Sequence, residues 1–376
     1  MSKLIMKITI NKNVLMEALK FSNNIISSSV SSAILSCVLL ESNETEFKLT
    51  TSNGIISSCF KISENIDIEN SGRVLVKAKL LLDVVSKIRE ENIELEEIDS
   101  SLRIRAKNYT SNINTLDSFS FPNIDFDTNG WTEIKLNSKT LAVAVRKVSH
   151  SALRQSERLD RLNGIYFDSE SEKNKLRIVA SDSLKLSVFN TPYNGEPFSF
   201  LINANVLNLV NSFLKLNEEI IFLTKDKNIT IKTKDFILSC NVIDDNYPKI
   251  DGLIKSEGET TFKISRNKLI EALERVIVFG STEKISNCNI SISKHLFSIK
   301  YKSIELGSSI DKIEIEEFSG KTIDLSVNAN FLMEHLKVFD NDEIVFKLEN
   351  NLKPFMIIDE KEPGFLQILV PTINSF

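Results

Sequence analysis

Three stretches of the chain decide its fold, and they read KITINKNVLMEAL at Lys7–Leu19, EIKLNSKTLAVAV at Glu133–Val145 and FKISRNKLIEAL at Phe262–Leu273. In each stretch, alternating apolar and polar residues, typical of a half-buried strand, lead through a polar step into apolar residues at helical spacing. Equivalent leucines stand 126 and 128 residues apart, at Leu15, Leu141 and Leu269. The polar step supplies helix N-caps, and the candidates are Asn11, Asn137 or Ser138, and Ser265.

A second series lies between these stretches and has the same strand-then-helix pattern. It reads VKAKLLLDVVSKI at Val76–Ile88, INANVLNLVNSFL at Ile202–Leu214 and VNANFLMEHLKVF at Val327–Phe339. Alternating segments with polar hairpin tips follow every helix. The sequence therefore predicts an α+β fold of three tandem two-layer domains, 1–126, 127–254 and 255–376, each with two helices packed on antiparallel sheet.

Composition excludes several classes of protein. Of 376 residues, 42% are apolar and 26% charged, with 11 glycines and 7 prolines, which is ordinary globular composition. The four cysteines form no C-x-x-C pair, so free buried thiols in a reducing cytoplasm are expected. The opening MSKLIMKITI is too short and too interrupted for a signal peptide, and no apolar run is long enough to span a membrane.

Charge is unevenly divided between the predicted helices and the rest of the chain. The six helical segments, 11–26, 77–90, 137–161, 203–216, 265–279 and 328–339, carry +9, whereas the remainder carries −14 of the total −5. A basic helical layer favours phosphate, although a basic stretch taken singly is more often a solvated helix face. No recognition-helix or base-stacking motif accompanies the basic residues, so any nucleic-acid contact should be indifferent to sequence.

Catalysis has little support in the sequence. Phosphate-binding loops, the H-E-x-x-H metal motif and the G-x-S-x-G nucleophile elbow are all missing, and His150, His295 and His335 are scattered along the chain. His335 stands where the other repeats have Val84 and Val210, which predicts a half-buried helix residue. We therefore expect no catalytic residue, no metal and no cofactor. The open alternatives are a protein that contacts nucleic acid without reading its sequence and a β-rich scaffold or protein-binding module without DNA contact.

Local motifs make the chain resemble the bacterial DNA sliding clamp family, the beta subunit of DNA polymerase III. The motifs occur in the family's order: Phe121–Asn123 (FPN), Leu162–Phe167 (LNGIYF), Val179–Leu186 (VASDSLKL), Asp245–Pro248 (DNYP) and Leu369–Thr372 (LVPT). Ser183-Leu184 replaces the family's Gly-His, and Val30–Leu35 lacks the arginine and prolines of the family's early segment.

The resemblance implies a head-to-tail homodimer that closes into a ring, with helices lining the hole. Double-stranded DNA would pass through the ring without sequence preference. The other implied partners are the replicative polymerase subunit, the clamp loader and further proteins that carry short clamp-binding peptides; no membrane is involved. The residues expected to contact DNA are Lys20, Lys79, Arg146, Lys147, Arg154, Arg158 and Arg161.

Two further sets of residues follow from the resemblance. An apolar groove for peptides is expected from Leu162, Ser181, Leu184, Leu186, Pro248, Leu253, Phe331, Leu352, Pro354, Ile368, Val370 and Thr372. The dimer joint is expected to use an edge strand at Tyr109–Leu116, with Ile113 packed near Val278 and Phe279.

Overall fold

A computed structural model of the chain describes residues 5–26, 32–154, 160–254, 258–280, 287–303, 307–315 and 317–372. The chain forms two compact units. The first comprises Met1–Lys139 and Ser212–Val242, and the second comprises Thr140–Asn211 and Ile243–Phe376. The central part of the chain therefore contributes residues to both units.

Helices lie where the two repeat series predict them. In the described residues they are α1 (Lys12–Ile26), α2 (Ala78–Lys87), α3 (Ser138–Val148), α4 (Ala204–Ser212), the single turn α5 (Asp251–Ile254), α6 (Arg266–Gly280) and α7 (Ala329–Lys337). The predicted N-cap at Asn11 is confirmed, because its Oδ1 accepts the Asn13 N–H at 2.9 Å. Asn137 is the cap of α3, while the neighbouring Ser138 hydroxyl accepts the Glu218 N–H instead. Ser265 Oγ accepts the Lys268 N–H of α6, as predicted.

Strands fill the rest of each predicted domain. The first domain has β1 (Lys7–Asn11), β2 (Cys37–Ser42), β3 (Phe47–Ser52), β4 (Ser57–Ile62), β5 (Ile66–Asn70), β6 (Gly72–Lys77), β7 (Asn92–Ile98), β8 (Ser101–Ala106) and β9 (Tyr109–Asn114). The second has β10 (Thr132–Asn137), β11 (Gly164–Asp168), β12 (Lys175–Ser181), β13 (Lys185–Pro192), β14 (Ser199–Asn203), β15 (Glu219–Lys225), β16 (Asn228–Lys232) and β17 (Phe236–Asn241). The third has β18 (Thr260–Ser265), β19 (Asn287–Ser293), β20 (Leu296–Ser303), β21 (Gly307–Glu314), β22 (Glu317–Ser319), β23 (Ile323–Asn328), β24 (Glu343–Leu348), β25 (Phe355–Ile358) and β26 (Phe365–Leu369).

Each unit contains two antiparallel sheets. In the first unit their strand orders are β5-β1-β7-β8-β9 and β10-β15-β16-β17-β4-β3-β2-β6. In the second unit they are β14-β11-β12-β13-β26-β25-β24-β18-β22 and β21-β20-β19-β23. The predicted α+β class, with paired helices on antiparallel sheet, is confirmed. The borders at 126 and 254 stay a prediction.

Aromatic rings from helix and sheet form the cores. In the first unit, Phe21 of α1 packs on Phe236 of β17 with ring centroids 4.5 Å apart. In the second, Phe262 of β18 stacks on Phe346 of β24 at 4.9 Å. All four rings are buried, and full burial of one such side chain contributes about 1.5–3 kcal/mol to stability. The alternating pattern of the strands thus places the core as the sequence predicts.

The predicted helix at 137–161 is wrong in its length. α3 ends at Val148, a 3-10 turn spans Ser149–Ser151, and Ala152 is extended. Serine and histidine are weak helix formers, and the Ser151 hydroxyl bonds to that of Ser187 at 2.7 Å, which favours a turn at this point. Within their observed bounds, the six repeat helices carry a net charge of +6 rather than the +9 of the predicted segments.

The cysteines agree with the compositional expectation. All four cysteines are buried free thiols, as predicted. Within the described ranges, no helix is both long and apolar enough to cross a membrane. The same residues contain no cluster of three or more acidic, cysteine or histidine side chains suited to holding a metal ion.

Candidate functional site

An apolar cavity of about 210 Å³ opens in the second unit beside the facing ends of β12 and β13. The segment from Tyr247 to Leu253, Pro354 and the end of β26 form its other walls. Nine of the twelve residues predicted to bind peptide line it: Leu162, Ser181, Leu184, Leu186, Pro248, Leu253, Pro354, Ile368 and Val370. The fold therefore gathers five separate stretches of sequence into one groove.

The other three predicted peptide residues do not line the cavity. Phe331 instead faces Lys185, with its ring centroid 4.5 Å from the ammonium. Leu352 is 74% exposed outside it. The Thr372 N–H donates to the Ser326 carbonyl at 2.8 Å, which ties the last described residue to β23.

The cavity also has walls that the sequence prediction missed. They are Ser183, Lys185, Lys249 and Ile250. Arg161, which was predicted to contact DNA, also lines this cavity. Lys249 and Ile250 directly follow the predicted Pro248, so chain proximity was an available signal. No such signal marked Lys185, because a lysine in a strand is normally solvated.

Paired strands produce the apolar floor. Leu186 of β13 lies opposite Ile368 of β26, and both belong to a buried cluster with Val179, Val188, Ile250 and Met356. Tyr247 stacks on Tyr166 at 4.9 Å and packs against the cluster, and burial raises the pKa of its phenol. A concave apolar surface with a few polar groups is the usual form of a ligand site.

The turn between β12 and β13 presents a leucine at the mouth of the groove. Asp182 Oδ1 accepts the N–H groups of Leu184 and Lys185, at 2.9 and 2.7 Å. Ser183 has a φ of 78° in this turn, a conformation that favours glycine. Leu184 remains 48% exposed, and its carbonyl accepts the Val370 N–H at 2.9 Å. The substitution of the family's Gly-His thus places an apolar side chain at the entrance.

Lys185 is a buried cation that links the groove to neighbouring elements. Its Nζ donates to Glu334 of α7 at 2.6 Å and to the His150 carbonyl at 2.8 Å. The same ammonium faces the ring of Phe331. Since a buried charge is costly unless it is paired, these contacts fix the side chain in place.

Two of the histidines, which the sequence left scattered, meet beneath the groove. His150 Nε2 lies 2.9 Å from His335 Nδ1, and His335 Nε2 lies 3.2 Å from the Ile368 carbonyl oxygen. His335 is fully buried rather than half-buried as predicted, because α7 packs on β26. Burial and the nearby Lys185 ammonium lower the pKa of His150 to about 3, and burial likewise lowers the pKa of His335 well below its usual range.

Three of the residues predicted to contact DNA lie on helices with exposed side chains. Lys20 is exposed on α1, and Lys79 on α2 pairs with Asp83 one turn on at 3.4 Å. Arg146 on α3 donates from Nη2 to both Asp340 oxygens at 3.0 Å. Exposed ion pairs contribute about 0–1 kcal/mol, so phosphate can compete for these cations.

The prediction that Lys147 meets phosphate is wrong. Its side chain is 0% exposed, and its Nζ pairs with Asp340 at 3.0 Å and with Glu362. The ammonium also lies 4.5 Å from the centroid of the Phe365 ring. At helical spacing Lys147 points away from the face that carries Arg146, so it contributes to the interior of the unit.

The remaining predicted DNA contacts follow α3 rather than lie on it. Arg154 is 84% exposed and approaches Glu334 at 3.4 Å. Arg161 pairs loosely with Asp245 at 3.8 Å beside the groove. Arg158 lies outside the described residues.

The predicted joint residues differ in their exposure. Ile113 of β9 is buried against its own unit and lies opposite Leu102. Val278 is exposed near the end of α6, while the side chain of Phe279 lies outside the described part of the chain. β9 and β21 are each the last strand of a sheet, and β21 exposes Ile310, which the sequence analysis did not single out.

Threefold-repeated helix pairs on antiparallel sheet, together with an apolar groove, define a repeat-built binding protein of the DNA-clamp type. Family models for the DNA polymerase III beta subunit match the N-terminal domain at 6–125, the central domain at 135–249 and the C-terminal domain at 252–373. The chain belongs to the DNA polymerase III beta subunit family. It is a sliding clamp, a processivity factor without catalysis of its own, as the resemblance predicted.

Relatives match over nearly the whole chain. A beta sliding clamp of Mycoplasma pneumoniae is 30% identical over 380 residues, covering 98% of this chain and 100% of the relative. One from Streptococcus pneumoniae is 24% identical and covers 96% of this chain and 98% of its own.

Solved clamp structures share the fold. The S. pneumoniae beta chain superposes with a TM-score of 0.90 at 23% identity, covering 98% of this chain and 100% of that one. A Pseudomonas aeruginosa sliding clamp bound to griselimycin gives 0.89 at 18% identity, with the same coverage.

Proposed function

We propose that two copies of the chain pair head to tail into a closed ring of six domains, 1–126, 127–254 and 255–376 from each chain. The ring encircles double-stranded DNA without reading its sequence and tethers replication proteins through the groove. Its partners are the replicative polymerase subunit, the clamp loader and other proteins with short clamp-binding peptides. The role belongs in the cytoplasm.

The groove is the observation that carries the tethering function. Nine predicted residues line one cavity whose floor is apolar and whose polar groups are few. Extended peptides bind such a groove through apolar anchors, and affinities near micromolar correspond to about −8 kcal/mol.

Two sheet edges support the ring. β9 ends one sheet and β21 ends another, so each carries a row of backbone donors and acceptors that a partner strand can complete. Pairing β9 of one chain with β21 of the next covers both edges, and exposed Ile310 and Val278 then supply apolar contacts at the joint. Phe279 belongs to the same proposed joint, whereas Ile113 supports it from within its own unit.

DNA contact rests on exposed cations with weak partners. Lys20, Lys79, Arg146 and Arg154 are exposed. The acidic partners of the last three keep 32–56% of their side-chain surface. Arg161 and Arg158 complete the proposed set, from which Lys147 is removed. Topological capture needs only weak contacts, which should weaken further as salt rises.

Peptide binding is tested with a labelled peptide that carries a Gln and a Leu-Phe end, by fluorescence anisotropy. Leu184→Asp should weaken binding at least tenfold, because it places a charge at the apolar entrance. Leu216→Asp is the matched control, since Leu216 is a 70% exposed leucine of the first unit. Griselimycin, bound by the P. aeruginosa clamp, serves as a competitor. Equal loss in both variants would contradict the assignment of the groove.

Removing residues 372–376 tests the C-terminal end of the groove. Thr372 is tied to Ser326, and Val370 lines the cavity two residues earlier. Truncation should weaken the labelled peptide markedly and leave the dimer intact on gel filtration. Unchanged affinity would move the peptide site elsewhere.

Ring formation is tested by gel filtration, where the 42.5 kDa chain should elute as a dimer of about 85 kDa. Ile310→Lys should give monomers by placing a charge at the joint, whereas Ile55→Lys, at an exposed isoleucine of the first unit, should not. A dimer that survives Ile310→Lys would refute this joint.

DNA retention is tested on nicked circular DNA loaded with the clamp. Arg146→Glu with Arg154→Glu should shorten retention, while Lys234→Glu with Lys321→Glu, at two exposed lysines, is the charge-matched control. If the double variant were retained as long as the control, these arginines would not face DNA.

A further inference from the structure

One wall of the groove lies outside the sheets. It is the segment 247–254, which contains the turn α5 and brings Ile250 and Leu253 to the cavity. Among the described residues, no strand pairs with this segment, and its backbone hydrogen bonds stay within it. The N–H groups of Leu253 and Ile254 both donate to the Ile250 carbonyl, at 2.9 and 3.3 Å. The position of this wall in the unit therefore depends on side chains.

Two kinds of side-chain contact hold the segment. Tyr247, Ile250 and Ile254 pack against the apolar cluster of the groove floor. The polar contact comes from Arg177 of β12, whose Nη1 donates at 2.9 Å to Asp251, the first residue of α5. A charge-assisted hydrogen bond has a defined direction, so it fixes the point at which the turn begins.

Arg177 is itself held firmly beside the groove. Side chains alternate along a strand, so Arg177 shares a face with Val179 of the floor and with Ser181, which lines the cavity. Its second terminal nitrogen, Nη2, donates to Glu172 at 2.6 Å, and its side chain is only 13% exposed. A planar guanidinium that serves two carboxylates has little freedom to turn. Arg177 is therefore a fixed point from which α5 can be positioned.

The first repeat offers a comparison within the same chain. Its residues 121–125 (FPNID) correspond to 247–251 (YPKID), and Lys48 occupies the strand position of Arg177. Lys48 pairs with Glu46 rather than with the aspartate that ends FPNID. No helix forms between this aspartate and β10, and all residues of that stretch are described. The ion pair and the helical turn thus occur together in the second repeat and are both missing from the first.

We propose that Arg177 is a positioning residue of the groove, which fixes α5 through Asp251 and so keeps Ile250 and Leu253 in place as a preformed wall. A single helical turn is unstable alone in water, because nucleation fixes several residues for one hydrogen bond. A peptide that met an unformed wall would have to order it, which lowers affinity. The statement about the turn stands alone, whereas its effect on peptides rests on the proposed function.

Hydrogen exchange of the full chain without peptide tests the turn through the amides of Leu253 and Ile254. Arg177→Met and Asp251→Asn each remove the pair, and each should raise the opening constant of these amides about fivefold, the upper range for a partly exposed ion pair. The double variant should equal either single variant, because the pair can be lost only once. A double variant in which the two effects multiply would mean that the residues act separately, and it would overturn the proposal.

Control variants and control strands show whether the effect is specific and local. Lys175→Met is the matched control, because Lys175 also donates to Glu172, at 2.8 Å, and its loss leaves the pair of Arg177 and Asp251 in place. This variant should exchange like the native protein, and Asp251→Glu, which keeps the carboxylate, should stay within about twofold of it. β25 and β19 should not change in any variant. A rise in these strands equal to that in α5 would mean that the whole unit loosens, and it would overturn the proposal.

Stopped-flow kinetics with the labelled peptide test the wall. If the wall is preformed, only molecules with a formed turn bind, so Arg177→Met and Asp251→Asn should lower the association rate constant about threefold and leave the dissociation rate constant unchanged. The loss is smaller than the change in opening because molecules with a formed turn still bind normally. A loss confined to the dissociation rate constant would mean that these side chains contact the peptide, and it would overturn the positioning role.

The two measurements separate this proposal from the proposed function. If the native protein does not bind peptide while the exchange pattern holds, the groove function fails and the attachment of α5 by Arg177 stands. If the native protein binds peptide and both variants bind it with unchanged rate constants, the role of Arg177 in the wall fails alone.

Discussion

Replacing Lys147 with methionine should destabilise the second unit far more than the same change at its neighbour Arg146. Lys147→Met keeps the length and most of the volume of the buried side chain and removes only its charge. The two carboxylates that it serves, Asp340 and Glu362, then lose a common partner. Arg146→Met is the matched control, because Arg146 also pairs with Asp340 but stays exposed.

The magnitude follows from burial. Removing one partner of a buried ion pair costs about 3–5 kcal/mol, since the remaining charge is left without compensation. Asp340 and Glu362 keep 56% and 26% of their side-chain surface, so water relieves part of that cost and the lower end applies. We expect a loss of about 3 kcal/mol for Lys147→Met and about 0.5 kcal/mol for Arg146→Met.

Differential scanning calorimetry measures the difference. For a unit of roughly 200 residues, about 3 kcal/mol corresponds to a fall in Tm of about 6–12 °C. The Arg146→Met protein should melt within about 2 °C of the native chain. Equal Tm values for the two variants would refute the placement of Lys147 in the interior and return it to the candidates for DNA contact.

Two further predictions concern the turn at the groove and the acid limb of stability. Ser183→Gly should raise the unfolding free energy by about 0.5–1 kcal/mol, because Ser183 has a positive φ that glycine adopts without strain. Urea unfolding measures this change. Ser181→Gly is the control, and it should lower the unfolding free energy because it removes a hydroxyl donor to the Lys185 carbonyl. Stability should also fall with acid: the folded pKa of His150 is about 3 and the unfolded value about 6.5, so the unfolded chain binds more protons between them. The full unfolding free energy is present above pH 6.5 and declines toward pH 3, by about 2 kcal/mol for His150 at pH 5. Thermal melts of the native and His150→Gln proteins should diverge accordingly.

The repeat predicted the fold well because its signals are local. Alternation, helical spacing and caps such as Asn11 and Ser265 each depend on residues within one turn or one strand of each other. The groove was largely predictable because family motifs mark residues that local rules would assign to the core, Leu186 and Ile368 among them.

The failures share a physical cause, which is distance along the chain. Lys147 is buried because it pairs with Asp340 and Glu362, which lie about 200 residues further along the chain. No local sequence pattern predicts so distant a partner. The same holds for His150 and His335, which are 185 residues apart. The early end of α3 depends on Ser151 reaching Ser187.

The eight-stranded sheet has a consequence for how such a chain can be divided. β17, from the second repeat, completes the edge of β4, from the first, with Phe236 opposite Phe60. A fragment cut at residue 126 would keep β4 and lose its neighbour, leaving a row of backbone donors and acceptors beside an apolar ring cluster. The segment that repeats in the sequence is therefore not a segment that can fold by itself. Hydrogen-bonded strands cross each junction between repeats, so proteolytic cleavage there would yield fragments prone to aggregate rather than separate domains.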